Sequence, residues 1–233
     1  MSIDFKNEDE VKDYIKNLGT EYRFGCFKEK KPEVCHLLGD YLESISKDYH
    51  KAGRVYKSNC DDYNFAKSCY KMGYYYISGK GGFERSTEKS SQYYEKGCDL
   101  GDTDSCFRAG FVNIITSKAQ NSKQGFLQGL SRLKKGCDAN HADACHHLSS
   151  LYLDENSNTK DFLSKDMKKA FEFAQKACHL GNIYACVNVS IMYRKGEGVE
   201  KDQKKSENYK KMALDKKKEQ ENERPLVFQE GLK

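Results

Sequence analysis

Ten cysteines recur along this chain as five evenly spaced pairs. The pairs are Cys26 with Cys35, Cys60 with Cys69, Cys98 with Cys106, Cys137 with Cys145, and Cys178 with Cys186. The first cysteines of consecutive pairs lie 34, 38, 39 and 41 positions apart, counted along the sequence. A period of this length indicates one structural unit repeated along the chain, and the pairing predicts one disulfide for each unit.

The sequence around the last three pairs predicts one helix that ends, a tight turn, and a second helix that begins. In the segments GCDLGDTDSC, GCDANHADAC and ACHLGNIYAC, the third residue after the first cysteine is Gly101, Asn140 or Gly181. Glycine and asparagine accept the left-handed conformation that closes a helix. Short polar residues follow and can cap the next helix, among them Asp102, Asp104 and Asp143.

The segments between the cysteine pairs have helical periodicity. After Cys69, for example, Met72 and Tyr76 continue an apolar face at spacings of three and four residues. This pattern predicts about eleven helices, from near Asn7 to near Asn222. The predicted fold class is all-α, an α-α superhelix (solenoid) of about five helix-turn-helix repeats, with a disulfide staple at every joint.

We expect a single repeat domain over residues 1–222. An N-terminal helical cap is predicted at 7–28, and a C-terminal tail at 223–233. The repeats are predicted at 32–62, 66–100, 103–139, 142–180 and 183–216.

The composition explains why such a chain needs disulfides. Hydrophobic residues make up 37% of it and charged residues 32%, which suits a thin stack of helices rather than one deep core. A bridge that closes a loop of about nine residues stabilises a fold by roughly 2.5 kcal/mol, whereas a whole domain holds only about 5 to 15 kcal/mol. We therefore expect the loss of two or three bridges to unfold the protein.

Charge and hydropathy exclude several classes of partner. The chain has 40 basic and 35 acidic residues, a net charge of +5, and few arginines. Nucleic-acid grooves favour arginine and a one-sided stripe of charge, so we expect no nucleic-acid partner. No stretch approaches the roughly 20 apolar residues of a membrane span.

The cysteines and the amino terminus together favour one compartment. The N-terminal segment MSIDFKNEDEVKDYIKNL has neither the apolar core of a secretory signal nor the composition of a cleaved mitochondrial presequence. Disulfides nevertheless require an oxidising environment. The mitochondrial intermembrane space satisfies both conditions, because it traps small cysteine-paired proteins by oxidation. A truncated export signal and a reduced cytosolic protein are the alternatives.

The repeats resemble those of the Sel1-like family. The resemblance rests on a tyrosine in the first helix, a Gly-x-Gly-Val loop with a following aspartate, and a second helix that ends in Lys-Ala before a glycine turn. These residues are Tyr193, Gly196, Glu197, Gly198, Val199, Asp202, Lys176, Ala177 and Gly181.

The cysteine placement is similar to that of the cysteine-rich branch of the family, which includes bacterial proteins once labelled beta-lactamases (the hcp beta-lactamase family) and mitochondrial members. The segments FGCFKEKKPEVC, SCYKMGYYYISGKGG and ERPLVF resemble the mitochondrial members more. The third repeat departs from the pattern, because residues 114–124 lack the Gly-x-Gly loop.

The resemblance implies a non-enzymatic assembly factor or scaffold of the intermembrane space that supports respiratory-chain assembly, chiefly of cytochrome c oxidase. The implied partners are assembly factors or subunits of the respiratory chain and the oxidative import machinery, and we expect a monomer. The first alternative is a thiol-disulfide oxidoreductase or a haem-binding chaperone that acts in oxidase assembly. The second is a secreted cysteine-rich repeat binding protein.

The ten cysteines are predicted to be structural, and one pair is a candidate for redox activity. Cys26 and Cys35 flank Lys28, Lys30 and Lys31, whose positive charge would stabilise a thiolate. A zinc site is not expected, because the chain lacks Cys-x-x-Cys hooks and successive pairs fall on separate repeats.

No other residue is expected to be catalytic, and no cofactor is required. Four Ser-x-x-Lys pairs occur, but the companion motifs of beta-lactamases are absent. Haem is the possible cofactor implied by the resemblance, and His146 and His147 are its candidate axial ligands, by proximity to Cys145 alone. Our favoured interpretation places both histidines on the surface of a helix.

Overall fold

The computed structural model describes residues 7–154 and 162–222, and within these ranges the chain forms eleven α-helices and no β-strand. This result confirms the predicted all-α fold. The predicted tail at 223–233 lies outside the described residues. The helices are α1 (Glu8–Phe27), α2 (Pro32–Ser44), α3 (Tyr49–Tyr63), α4 (Ala66–Ser78), α5 (Thr87–Asp99), α6 (Thr103–Gln120), α7 (Lys123–Asp138), α8 (Ala142–Leu153), α9 (Met167–His179), α10 (Ile183–Lys195) and α11 (Gln203–Asn222).

Helix α1 is followed by five consecutive helix pairs. The first four pairs end within one residue of the repeat ranges expected from the sequence, at residues 63, 99, 138 and 179. The fifth pair continues further, because α11 extends to Asn222.

The chain divides into two compact units, Met1–Ile115 and Thr116–Lys233, and the boundary falls inside α6. The first unit has a core that includes Leu38, Leu42, Tyr56, Met72 and Tyr75. In the second unit, the fully buried side chains include Phe126, Leu133, Leu148 and Val189. Each unit therefore buries apolar side chains of its own helices.

The helix ends follow the left-handed turns predicted from the sequence. Gly101, Asn140 and Gly181 have φ angles of 96°, 66° and 104°. After each of them, the chain returns a backbone hydrogen bond to the helix it has left: the N–H of Asp102 donates to the carbonyl of Gly97 at 3.0 Å. These bonds satisfy carbonyl groups that the end of a helix leaves without partners.

The caps of the following helices match the prediction at one joint and differ at the next. The carboxylate of Asp102 accepts the N–H of Ser105 at 2.7 Å, as expected of a cap. At the start of α8 the cap is His141 rather than Asp143, and its Nδ1 accepts the N–H of Ala144 at 3.1 Å. Asp143 already lies inside the helix, so its backbone position is wrong for a cap.

Aromatic side chains pack directly onto glycines of neighbouring helices. Tyr56 of α3 lies against Gly39 of α2, and Tyr94 of α5 lies against Gly73 of α4. A β-carbon at either glycine would overlap the tyrosine ring. The missing side chain therefore lets paired helices approach closely around a large buried ring.

The run of three tyrosines at 74–76 divides between core and surface, as helix geometry requires. Tyr75 and Tyr76 are buried, whereas Tyr74 is exposed. None of the helices in the described parts of the chain is long and apolar enough to cross a membrane.

Candidate functional site

Each predicted cysteine pair forms a disulfide. The S–S distances lie between 2.04 and 2.13 Å and the Cα–Cα distances between 4.4 and 4.9 Å. All ten cysteines fall within the described residues, and none is a free thiol. In every pair, the first cysteine lies in the last turn of one helix and the second is the fourth residue of the next. The bridges therefore clamp the short turns between consecutive helix pairs.

The first of the five bridges, Cys26–Cys35, differs from the others in its surroundings. Its cysteines line a surface groove, and Cys26 is the most exposed of the ten cysteines at 7%. Exposed Lys28 and Lys30 lie in the turn between the two cysteines, and Lys31 pairs with the neighbouring Glu29 at 2.8 Å. This is the setting that the sequence suggested for a redox-labile bridge, whose reactivity stays a prediction.

The groove beside this bridge, the α1–α3 groove, is lined by residues of the first three helices and the turns that join them. Its volume is about 490 Å³. The floor is aliphatic and consists of Leu38, Leu42 and the half-buried Val55. At the edge, the ring of Phe27 is 64% exposed. A groove of this size and lining can hold a ligand, or part of one, that is a few side chains in size.

The charged side chains that line the α1–α3 groove are mostly basic. They are Arg23, Lys30, Lys51 and Arg54, against the single carboxylate of Asp48. That carboxylate is occupied by Lys51, at 2.9 Å. The groove is therefore apolar at its base and positively charged at its rim.

A buried amide also lines the α1–α3 groove with one polar atom unused. Asn59 is 1% exposed, and its Nδ2 donates to the carbonyl of Pro32 and to Oγ of Ser68, both at 2.8 Å. Because the carbonyl of Pro32 can only accept, the amide orientation is fixed by this contact. The Oδ1 atom of Asn59 is left with no hydrogen-bond partner among the residues that the structure describes.

A second polar centre joins the first two repeats. This Glu43 cluster consists of Asp40, Glu43, Tyr56, Lys71 and Lys80. Glu43 is largely buried, and its two oxygens bind Lys71 Nζ at 2.8 Å and Lys80 Nζ at 2.5 Å. The hydroxyl of buried Tyr56 donates to Asp40 at 2.5 Å and lies 3.2 Å from Glu43. Sequence reasoning missed this cluster. The available signal was a pair of carboxylates, Asp40 and Glu43, three residues apart on one helix face.

The pKa values in the Glu43 cluster depend on burial and on hydrogen bonds, which act in opposite directions at Glu43. Burial alone would raise the pKa of Glu43, but the hydrogen bonds from Lys71 and Lys80 outweigh it and lower the pKa below its usual value. Burial and the hydrogen bond to Asp40 raise the pKa of Tyr56. Glu43 is therefore ionised and Tyr56 protonated at neutral pH, so each carboxylate oxygen of Glu43 has a donor.

A comparison with family models identifies the repeat. The Sel1 repeat model matches residues 32–54, 66–102, 142–182 and 183–216. The chain is 45% identical to the cytochrome c oxidase assembly factor 7 homolog of Drosophila melanogaster, across 100% of this chain and 98% of the fly protein. It is 34% identical to cytochrome c oxidase assembly factor 7 of Homo sapiens, across 97% of this chain and 98% of the human protein.

The chain belongs to the cytochrome c oxidase assembly factor 7 family of Sel1-repeat proteins.

Solved structures give the same fold. A Sel1 repeat protein from Oxalobacter formigenes superposes with a TM-score of 0.72, covering 89% of this chain and 83% of that one at 16% identity. The protective antigen c5321 of uropathogenic Escherichia coli superposes with a TM-score of 0.66, covering 90% of this chain and 49% of that one at 18% identity. At such identities the likeness concerns the fold alone, and it confirms the predicted Sel1-type repeat architecture.

In this member of the assembly factor 7 family, the third repeat stands apart as the sequence suggested. The Sel1 repeat model matches no segment between residues 102 and 142. That interval contains α6 and α7, which are joined without a Gly-x-Gly loop.

The two candidate haem ligands of this family member lie on α8 and are partly buried. The ring of His146 stacks on Tyr184 with centroids 6.4 Å apart. Burial lowers the pKa of both histidines, that of His147 to about 4, so both are neutral at pH 7. Neither lines the α1–α3 groove or the cavity beside Tyr184. Haem binding therefore stays a prediction without a site.

No group of three or more metal-ligating side chains occurs within residues 7–154 and 162–222. The polar centres that stand out in the described chain are therefore the Glu43 cluster and the rim of the α1–α3 groove.

Proposed function

We propose that this protein is a non-enzymatic assembly factor that supports the formation of cytochrome c oxidase. The observation that carries the proposal is the 45% identity, over the whole chain, to a protein named cytochrome c oxidase assembly factor 7 homolog. The helical repeats and the basic, apolar groove suit a protein that binds other proteins.

The proposed location is the mitochondrial intermembrane space. Five buried disulfides support an oxidising compartment, because thiols in reducing compartments are kept reduced. The mitochondrial part of the proposal comes from the function of the named relatives.

Disruption of the gene in the source organism tests the assembly role. We expect less assembled cytochrome c oxidase on native gels and lower oxidase activity, both restored by the wild-type chain. Succinate dehydrogenase, measured in the same mitochondria, is the control and should stay normal. Normal oxidase levels in the disrupted strain would overturn the proposal.

Thiol counting in fractionated mitochondria tests the location. The protein should be protected from protease until the outer membrane is opened, and ten thiols should become alkylatable only after reduction. Ten reactive thiols before reduction, or protection that persists after the outer membrane is opened, would contradict the assignment.

A second candidate function is thiol-disulfide exchange, which the position of the Cys26–Cys35 bridge beside a groove favours, because Cys26, at 7%, is the most exposed of the ten cysteines. Incubation with millimolar glutathione separates the two functions. A scaffold should keep all five bridges, whereas an exchanging protein should open Cys26–Cys35 first. Mass spectrometry of alkylated peptides identifies the bridge that opens.

A further inference from the structure

We propose that the α1–α3 groove binds an acidic peptide segment of a partner protein that carries an aliphatic anchor side chain. The inference deepens the proposed function, on which it rests for the idea of a protein partner. Three properties of the groove support it: its floor, its rim and the unused oxygen of Asn59.

The floor sets the apolar part of the ligand. Leu38, Leu42 and Val55 present aliphatic side chains, and the volume of about 490 Å³ matches a few side chains rather than a large ligand. Aliphatic floors bind Leu, Ile or Val well through burial of apolar area. Phe27 and Tyr63 also line the groove, and nucleotide bases stack on such aromatic rings, so competition by ATP is part of the test below.

The rim sets the charge of the ligand. Four basic side chains and one carboxylate line the groove, and that carboxylate already pairs with Lys51. Arg54 is exposed, and no ion pair involves its guanidinium within the described chain. Aspartate or glutamate beside the anchor would pair with the rim, so charge complementarity selects an acidic segment.

The oxygen of Asn59 selects a ligand that donates a hydrogen bond. Asn59 lines the groove, and its buried Oδ1 lacks a partner among the described residues, a state that costs about 1–3 kcal/mol. A peptide backbone brings N–H groups together with its side chains. A fatty acid brings carboxylate oxygens, which only accept, and would leave this oxygen unsatisfied. The buried acceptor therefore favours a peptide over an anionic lipid of the same charge.

Selection of peptides against the oxidised full chain tests the charge and anchor requirements. The probe is a random decapeptide library displayed on phage. We expect enriched sequences that combine Asp or Glu with Leu, Ile or Val. Failure to enrich any sequence, or enrichment of basic sequences, would overturn the inference.

Two matched charge reversals locate the binding site. The best selected peptide, labelled with fluorescein, should bind Arg54→Glu about tenfold more weakly than wild type and should lose affinity as salt is raised. Arg194→Glu, an exposed reversal on α10, should bind within about twofold of wild type. Both variants keep the buried residues, and circular dichroism verifies their folding. Equal affinity in all three proteins would place the peptide elsewhere and refute the groove.

N-methylation of the peptide tests the role of Asn59. Among peptides that are each N-methylated at one position, one should bind about tenfold more weakly, because the buried oxygen of Asn59 again lacks a donor. In NMR spectra, the side-chain amide signals of Asn59 should shift when the unmethylated peptide binds. Uniform affinity across the methylated versions would refute the hydrogen bond. Displacement of the peptide by dodecanoate or ATP at equal concentration would overturn the inference, by showing that the groove prefers a lipid or a nucleotide.

The two proposals fail in different ways. If Arg54→Glu loses peptide binding yet restores oxidase in the disrupted strain, the groove does not serve assembly and the proposed function stands. If disruption leaves oxidase normal, the assembly role fails while peptide binding remains measurable on the purified protein.

Discussion

The second and third repeats connect their two helices by loops of very different length. The α4–α5 connection covers residues 79–86, between helices of 13 residues each. The α6–α7 connection consists of Asn121 and Ser122 only, between helices of 18 and 16 residues. Yet the cysteine period is nearly the same, 38 positions against 39. In the third repeat, longer helices therefore take up the positions that form a loop in the second repeat.

The α4–α5 loop contacts the first repeat at three points. Gly81 lies over the carbonyl of Tyr49 at the start of α3, Lys80 binds Glu43, and Phe83 packs beside Gly53. In the last repeat, Gly198 lies in the same way over the carbonyl of Met167 at the start of α9. The Gly-x-Gly loop thus fastens one repeat to the repeat before it.

Two features connect neighbouring repeats: the disulfide at the joint and the loop inside the repeat. The disulfide joint occurs at every repeat and sets the period, whereas the third repeat has only a two-residue turn in place of the loop. We expect the second repeat to depend on both features and the third on its disulfide.

A side chain at Gly81, where the loop passes close to the backbone of Tyr49, should have the largest effect on stability. In Gly81→Ala, the new β-carbon would lie 2.5 Å from the carbonyl oxygen of Tyr49, at a φ of 65° that side chains disfavour. We expect the free energy of unfolding to fall by about 3 kcal/mol or more. Urea denaturation followed by circular dichroism measures it.

Gly101→Ala is the matched control for this change. Gly101 also has a positive φ, of 96°, but apart from its chain neighbours no atom of the described residues lies within 4 Å of a β-carbon added there. Only backbone strain should remain, at about 1–2 kcal/mol. If both variants lost the same stability, the close approach of the loop would contribute nothing.

Paired serine substitutions should show which repeat depends on its disulfide. Replacing Cys60 and Cys69, or Cys98 and Cys106, should each lower global stability by about 2.5 kcal/mol. Hydrogen exchange should differ locally. The first amides of α6 should exchange much faster without Cys98–Cys106, while those of α4 should stay protected without Cys60–Cys69, because the loop still holds the second repeat. Equal protection at the two joints would argue against the comparison.

Glu43→Gln should weaken the anchor of the α4–α5 loop by about 2 kcal/mol at pH 7, because Lys71 and Lys80 lose a charged acceptor. The pKa of Glu43 is lowered in the fold, so its contribution is present above the usual carboxyl pKa, about 4.3, and is lost as pH falls through the folded value. Thermal unfolding of wild type and variant should therefore converge at acid pH. A stability difference that persists at about pH 2, well below the usual carboxyl pKa, would exclude the ionised carboxylate as its source.

The short turn of the third repeat should be the least sensitive. Asn121 has a φ of 52°, so Asn121→Ala should cost about 1 kcal/mol, whereas Asn121→Gly should change stability by only about a few tenths. Thermal denaturation compares the two variants. A large loss in the glycine variant would show that the asparagine side chain, rather than its backbone conformation, closes the turn.

The helices and their joints could be predicted because their signals are local. Cysteines eight or nine positions apart, with a residue such as Gly101 or Asn140 between them, specify a turn within one short segment. The atypical third repeat was also visible, as a missing glycine motif. The cap at His141 was not predicted, because a histidine in that position is an uncommon substitute for the usual small polar residues.

The groove and the Glu43 cluster could not be predicted in the same way. Glu43 meets Lys80 across 37 positions of sequence, and Asn59 meets Pro32 across 27. The local sequence offers one signal, the spacing of Asp40 and Glu43 on one helix face, and it does not reveal which lysines pair with them. Cys26 and Cys35 were singled out from flanking lysines, but the groove that their bridge lines was not.

The amino-acid order by itself determined the period, the five bridges and the helix ends, since each bridge and each helix end depends on residues within about ten positions of one another. Only the tertiary structure decided which polar atoms find partners: within the described parts of the chain, Oδ1 of Asn59 has none, whereas Glu43 has two lysines. Hydrogen bonds and ion pairs act over a few ångströms, and such distances between remote residues are set by how the helices pack.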